Sequence, residues 1–180
     1  MGDRMSQIMH LIREMNSAIS MVTSQDFKNE IFADYALSKE EVLEILQDLL
    51  KKECLQRDLY QAYDYLLFGP EAVGVKEHLQ EHQAEEMEHI GILQRYIVGM
   101  GGIPTIERLQ IPDIATNLTY IMAFDLEREQ AAVSDYSSFI MALENNQEFV
   151  SLKVEIENIL IQEQEHAHDL QRWLADGGGK

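Results

Sequence analysis

Two Glu-x-x-His units stand in the chain, Glu86-Met87-Glu88-His89 and Glu163-Gln164-Glu165-His166. On a helix, residues three apart share a face, so each unit aims one carboxylate and one imidazole at a common point. The next residue on each of these faces is a leucine, Leu93 after His89 and Leu170 after His166. A solvated surface pair would not usually carry that apolar flank. Two more glutamates sit in apolar stripes upstream. Glu53 follows Leu46, Leu49 and Leu50 and has Tyr60 seven residues on. Glu129 follows Met122 and Leu126, precedes Ala132 and Val133, and has Tyr136 seven residues on. The pattern is therefore doubled: a Glu with Tyr at +7, then Glu-x-x-His, with 33 residues from Glu53 to Glu86 and 34 from Glu129 to Glu163. Buried without partners, each carboxylate would cost several kcal/mol or take up a proton. Two divalent cations supply about four positive charges against four negative ones. Oxygen-rich ligation with one imidazole per ion suits iron or manganese better than a structural zinc site. The competing reading is a set of surface salt bridges, which the doubling and the apolar stripes disfavour.

For these six side chains to meet, four helices must bring their midpoints to one level. Glycine and proline divide the chain accordingly. All three prolines and five of the ten glycines fall in the clusters 69–74 and 99–112, with a further cluster at 177–179. The 64 residues from Asp113 to Asp176 contain neither Gly nor Pro, too long for one helix of a small domain, and Asn145-Asn146 is the best turn. Ser38 three residues before Glu41 reads as a capping box. Leu43, Leu46, Leu50 and Cys54, and later Ile156, Ile159, Leu160, Ala167 and Leu170, repeat at helical spacing. Helices are expected at about 39–67, 72–100, 112–145 and 147–175. The first and third joints are short, giving antiparallel hairpins. The middle joint, 12 residues from Gly101 to Pro112, reaches about 40 Å extended, enough to cross the bundle lengthwise. The expected fold is all-α: a four-helix bundle over 38–176 with a long crossover between helices two and three. Residues 1–37 form an N-terminal extension with an amphipathic helix (Met5, Ile8, Ile12, Met15, Ile19 and Val22 as its seam), and 177–180 a flexible tail.

Composition excludes several functions. The 180 residues are 46% apolar and 26% charged, with 32 acids against 14 bases and a net charge of −18. That excess opposes phosphate binding, so no nucleic acid is expected, and it suits a surface that attracts cations. A single cysteine, Cys54, excludes an intrachain disulfide framework and a Cys-rich metal site. No apolar run approaches a membrane span and no secretory leader is visible, so a cytoplasmic protein without membrane contact is expected.

From about Leu43 to Trp173 the chain resembles bacterioferritins and the related Dps-like mini-ferritins. The segment from Glu86 to Pro104 is similar to that family's second helix and following turn. Asp125-Leu126-Glu127-Arg128-Glu129 resembles its third-helix motif, in which the second glutamate is the ligand. The resemblance implies a ferritin-like bundle holding a di-iron ferroxidase centre, with Glu53, Glu86 and His89 on one side and Glu129, Glu163 and His166 on the other. These residues would be both metal ligands and catalytic groups, with Glu86 and Glu163 bridging the two metals. The implied activity is oxidation of Fe(II) to Fe(III) by dioxygen or hydrogen peroxide, with iron stored in a homo-oligomeric cage. Family members that build larger cages carry a short fifth helix; here only Gly-Gly-Gly-Lys180 follows shortly after Trp173, which favours a dodecamer over a 24-mer. Met87 stands where bacterioferritins place a haem-binding methionine, so haem is a candidate cofactor, against plain packing at a subunit contact.

Other residues carry two readings each. Tyr60 and Tyr136 could hydrogen-bond ligand carboxylates or simply fill the core. His82, with Glu81 and Glu85, could pass iron toward the centre or belong to a charge-rich solvated face. Glu165 and His168 also fit Glu-x-x-His, but Asn158, Gln162, Asp169 and Arg172 mark their face as solvated. Cys54 reads as a buried, inert thiol. Two rival functions share these motifs: a non-storing oxidoreductase of peroxidase or manganese catalase type, and a structural or cargo bundle whose metals only stabilise it.

Overall fold

The structure, a computed structural model, describes residues 36–69, 72–110 and 117–176. Among them are four long helices, α1 (Lys39–Leu66), α2 (Val73–Gly99), α3 (Leu118–Ala142) and α4 (Val150–Ala175), and no strand. The N-terminal amphipathic seam and the glycine tail lie outside the described residues. Helix α1 opens as expected: the Ser38 hydroxyl accepts from the Glu41 amide while Glu41 takes the Ser38 amide at 2.9 Å. Helix α2 ends where the chain must turn left-handed. Gly101 has φ +80°, and the Gly101 and Gly102 amides bond back to the Val98 and Ile97 carbonyls at 2.8 and 2.9 Å, closing the last turn.

Helices α1 and α2 pack as one hairpin, α3 and α4 as another. The crossover between them runs lengthwise along α1. Gln47 holds the Ile103 carbonyl and the Thr105 amide at 2.7 and 2.8 Å, and Lys51 pairs with Glu107 at 2.6 Å. This connection is longer than the spacing of Gly101 and Pro112 indicates, because α3 begins at Leu118 rather than near 112. The Asn117 side chain accepts from the Tyr120 amide and so sets that start.

The turn between α3 and α4 falls at Asn145-Asn146, and it has a structural task. The buried Asn146 amide donates to the Leu37 carbonyl at 2.8 Å and accepts from the Leu37 N–H at 3.0 Å, across 109 residues of chain. Asn146→Ala would leave both Leu37 groups unpaired. It is expected to destabilise the fold by roughly 1–3 kcal/mol per orphaned group, read as a lower urea midpoint at unchanged slope. A midpoint like wild type would show that water replaces the amide.

The core is in two parts. One apolar cluster gathers Leu46, Leu50, Leu93, Ile97, Phe139 and Ile156 near the Asn146 turn; the other gathers Leu59, Tyr63, Leu79, Ile121 and Leu170 toward the opposite end. Between them lies a layer of buried acids and histidines.

Candidate metal centre

Glu53, Glu86, Glu129 and Glu163 each lie within about one residue of the midpoint of their helix. Antiparallel packing therefore brings them to one height. All four are at most 3% exposed, His89 and His166 likewise, and the two imidazole centroids are 6.5 Å apart. Every ligand candidate read from the spacing thus arrives at one place. Their donor atoms form two overlapping groups, Glu53 with Glu86, His89 and Glu163, and Glu129 with Glu86, Glu163 and His166, the atoms of each group within 4.8 Å of one another. Glu86 and Glu163 belong to both. His89 Nδ1 lies 3.0 Å from Glu163 Oε1 and 3.2 Å from Glu53 Oε2; His166 Nδ1 lies 3.5 Å from Glu129 Oε2.

Several inward atoms have no hydrogen-bond partner: both oxygens of Glu86, Oε2 of Glu129 and Nδ1 of His166. Buried polar atoms left unpaired cost free energy, and here they converge on one point. A pair of oxygen- and nitrogen-loving divalent ions sharing Glu86 and Glu163 fits this donor set.

The ferritin-like domain family matches residues 43–177. The chain belongs to the ferritin-like family. It is 26% identical to the bacterial ferritin of Neisseria meningitidis (serogroup A, serotype 4A) over 133 residues, 74% of this chain and 86% of that protein. In fold it is similar to the dodecameric thioferritin of Bacteroides fragilis, a bacterioferritin-related protein, with a TM-score of 0.69 at 22% identity, covering 78% of this chain and 88% of that one. A ferritin-like, diiron-carboxylate protein of Bacillus anthracis gives a TM-score of 0.71 at 21% identity over 77% of this chain and 99% of that one.

Burial alone would neutralise every carboxylate of the ferritin-like centre. Against it, the neighbouring Glu86 and His89 pull Glu53 down to about 2, and His166 and Glu163 do the same for Glu129, also to about 2. Glu86 and Glu163 go the other way, raised well above the usual range by burial and then by their carboxylate neighbours. Burial pulls the two histidines down, but their carboxylate partners prevail and raise both. Before ions enter, Glu86, Glu163, His89 and His166 therefore hold protons more tightly than free side chains do. Any divalent ion that binds here must expel whatever protons Glu86, Glu163, His89 and His166 carry, since metal binds the deprotonated forms. A number of protons above zero is expected to leave on loading near neutral pH, so affinity falls as pH drops and protons compete. Titration heats in buffers of different ionisation enthalpy measure that number. No proton release would show the bridging carboxylates already ionised.

The outer contacts decide what was open in the sequence. Tyr60 hydrogen-bonds Glu129 Oε1, and Tyr136 hydrogen-bonds Glu53 Oε1. Each tyrosine, seven residues after one hairpin's glutamate, holds the glutamate of the other hairpin. His82 is not on a solvated face. It is 4% exposed and stacks on His166 with centroids 3.8 Å apart, its own pKa lowered to about 2 by burial and then by the neighbouring His166 and His78. Glu81 is exposed; Glu85 instead accepts from His166 Nε2 at 2.7 Å. Glu165 and His168 are exposed, as expected. Cys54 is buried in the apolar cluster, and burial raises its thiol pKa. Met87 lies outside the acid layer, 49% exposed, its sulfur 3.7 Å from Arg57 Nη1.

Four supporting residues take roles that the motifs do not assign to them, and Gln162, read with the solvated face of α4, turns to His89 instead. Gln56 Nε2 donates to Glu129 Oε1 at 2.9 Å and to the buried Asp125 at 2.7 Å. Gln162 Oε1 lies 3.0 Å from His89 Nε2, and Glu85 plays the matching part for His166. A signal existed: Gln56 is three residues after Glu53, Asp125 four before Glu129, and Glu85 and Gln162 each directly precede a glutamate common to both donor groups. A cavity of about 210 Å³ opens between α1 and α3, lined by Glu53, Glu86, Glu163 and Tyr136, with Lys52 bridging to Asp135 at 2.9 Å among its walls.

Proposed function

We propose that this ferritin-like chain is a ferroxidase and iron-storage subunit, which oxidises Fe(II) at a dinuclear centre and builds a homo-oligomeric cage around the product. The observation that carries the reading is the pair of overlapping ligand groups sharing Glu86 and Glu163, their inward atoms unpartnered. Fe(II) is the substrate, and two such ions held side by side supply one electron each to dioxygen or hydrogen peroxide. The protein's part is positional. Tyr136 and Tyr60 fix the orientation of Glu53 and Glu129; Gln162 and Glu85 hold the outer nitrogens so that both imidazoles present Nδ1 inward. Glu86 and Glu163 give up protons as the ions enter. The apolar clusters above and below close the two ends of the layer.

Storage is supported by the likeness to bacterial ferritins and by the net charge of −18. A dodecamer is favoured by the fold it shares with a dodecameric relative. Met87, half-exposed on α2, is the candidate haem ligand where a second copy approaches. Among the described residues no helix is long and apolar enough to cross a membrane, in keeping with work in the cytoplasm. Aerobic Fe(II) loading of the assembled protein, followed by size analysis, tests the function. Iron retained far beyond the two ions of each centre, inside a hollow shell, is the expected result. Retention of only two per chain would make it a non-storing oxidoreductase, and absence of oxidation would leave a structural bundle.

A further inference from the structure

The two halves of the centre repeat one pattern, so the places where they differ stand out. The imidazoles receive unlike partners on their outer nitrogens. His166 Nε2 meets the carboxylate of Glu85 at 2.7 Å, whereas His89 Nε2 meets the neutral amide oxygen of Gln162 at 3.0 Å. These partners occupy equivalent positions, one residue before each bridging glutamate. A carboxylate accepting the outer N–H makes the ring a more basic ligand and holds its orientation harder than an amide does. The glutamates differ in the same sense. Glu129 Oε1 accepts from both Tyr60 and Gln56, while Glu53 Oε1 accepts from Tyr136, and Ala132 stands on α3 where α1 carries Gln56. Finally, the cavity between α1 and α3 is lined by Glu53 and not by Glu129.

We infer that the two ion positions are unequal by construction: the Glu129–His166 position retains its ion, and the Glu53–His89 position, open to the cavity, exchanges its ion. Glu85 and Gln162 are the positioning residues that set the difference. The inference rests on the dinuclear reading above and adds which position is filled first. His82, Glu85 and His166 also gather donor atoms, but in this arrangement Glu85 is a hydrogen-bond acceptor and His82 a stacked support, and the trio holds no ion of its own.

Zinc, which binds without redox change, provides the readout. One equivalent of Zn(II) in crystals of the assembled protein is expected beside Glu129 and His166; density at Glu53 and His89 would overturn the assignment. Calorimetric titration of the same assembly should show two steps per chain. The shared carboxylates can separate two steps by themselves, so the substitutions decide. Glu85→Gln is expected to weaken the first step by about 10–100-fold, and Gln162→Glu to strengthen the second by a similar factor while leaving the first nearly unchanged. A folding defect cannot produce that gain. Two wild-type-like steps in both variants would overturn the inference and leave the dinuclear centre standing. A third zinc equivalent lost in Glu85→Gln would also overturn it, by making Glu85 a ligand. No zinc binding in the unaltered protein would defeat the dinuclear reading and the inference together.

Discussion

Glu86→Ala and Glu163→Ala should each slow the initial oxidation of Fe(II) in air by more than about a hundredfold. Loss of a single outer partner already costs about 10–100-fold in metal affinity or activity at such sites, and these two carboxylates belong to both ligand groups. Removing either strips one donor from each ion position at once. Glu127→Ala is the matched control, on the same helix as Glu129 but exposed to solvent. It should oxidise iron at the rate of the unaltered protein. Stopped-flow absorbance of the Fe(III) product reads both rates. If Glu86→Ala and Glu127→Ala behave alike, oxidation takes place elsewhere and the acid layer is a structural feature only.

Ion loading should also change stability by an amount large for one domain. An ion at a hundred times its dissociation constant stabilises the native state by about 2.7 kcal/mol, so two sites give about 5 kcal/mol. For a chain of this size each kcal/mol moves Tm by about 2–4 °C. Anaerobic Fe(II) or Zn(II) should therefore raise Tm by roughly 10–20 °C, followed by circular dichroism. The ion-free state is the one in which both Glu86 oxygens and two further inward atoms lack partners, so it has the most to gain. The same experiment on Glu163→Ala should lose most of the shift. An unchanged Tm on loading would mean that ions bind the surface rather than the layer.

Much of this architecture was legible because helical spacing is a local property. Glu53, Glu86, Glu129 and Glu163 could be placed at mid-helix from the positions of Ser38, the glycine clusters and Asn145-Asn146, and the same geometry predicts that they meet. The start of α3 was less legible. Pro112 is a strong signal and Asn117 a weaker one, and the choice between them depends on how far the crossover must travel along α1. The burial of His82 was hidden for a related reason. Its helical neighbours Glu81 and Glu85 are acidic, and only the approach of α4 places His166 against its ring. The roles of Gln56, Glu85 and Gln162 likewise depend on partners from another helix, which spacing within one helix does not reveal.

The exchange of tyrosines between the hairpins carries a consequence of its own. Tyr60 serves Glu129 and Tyr136 serves Glu53, so neither hairpin contains a self-sufficient half of the centre. Each contributes three of the six candidate ligands and orients one belonging to its counterpart. Ion affinity therefore reports on how well the two repeats dock, and a change that loosens one repeat is felt at the ligands of the other.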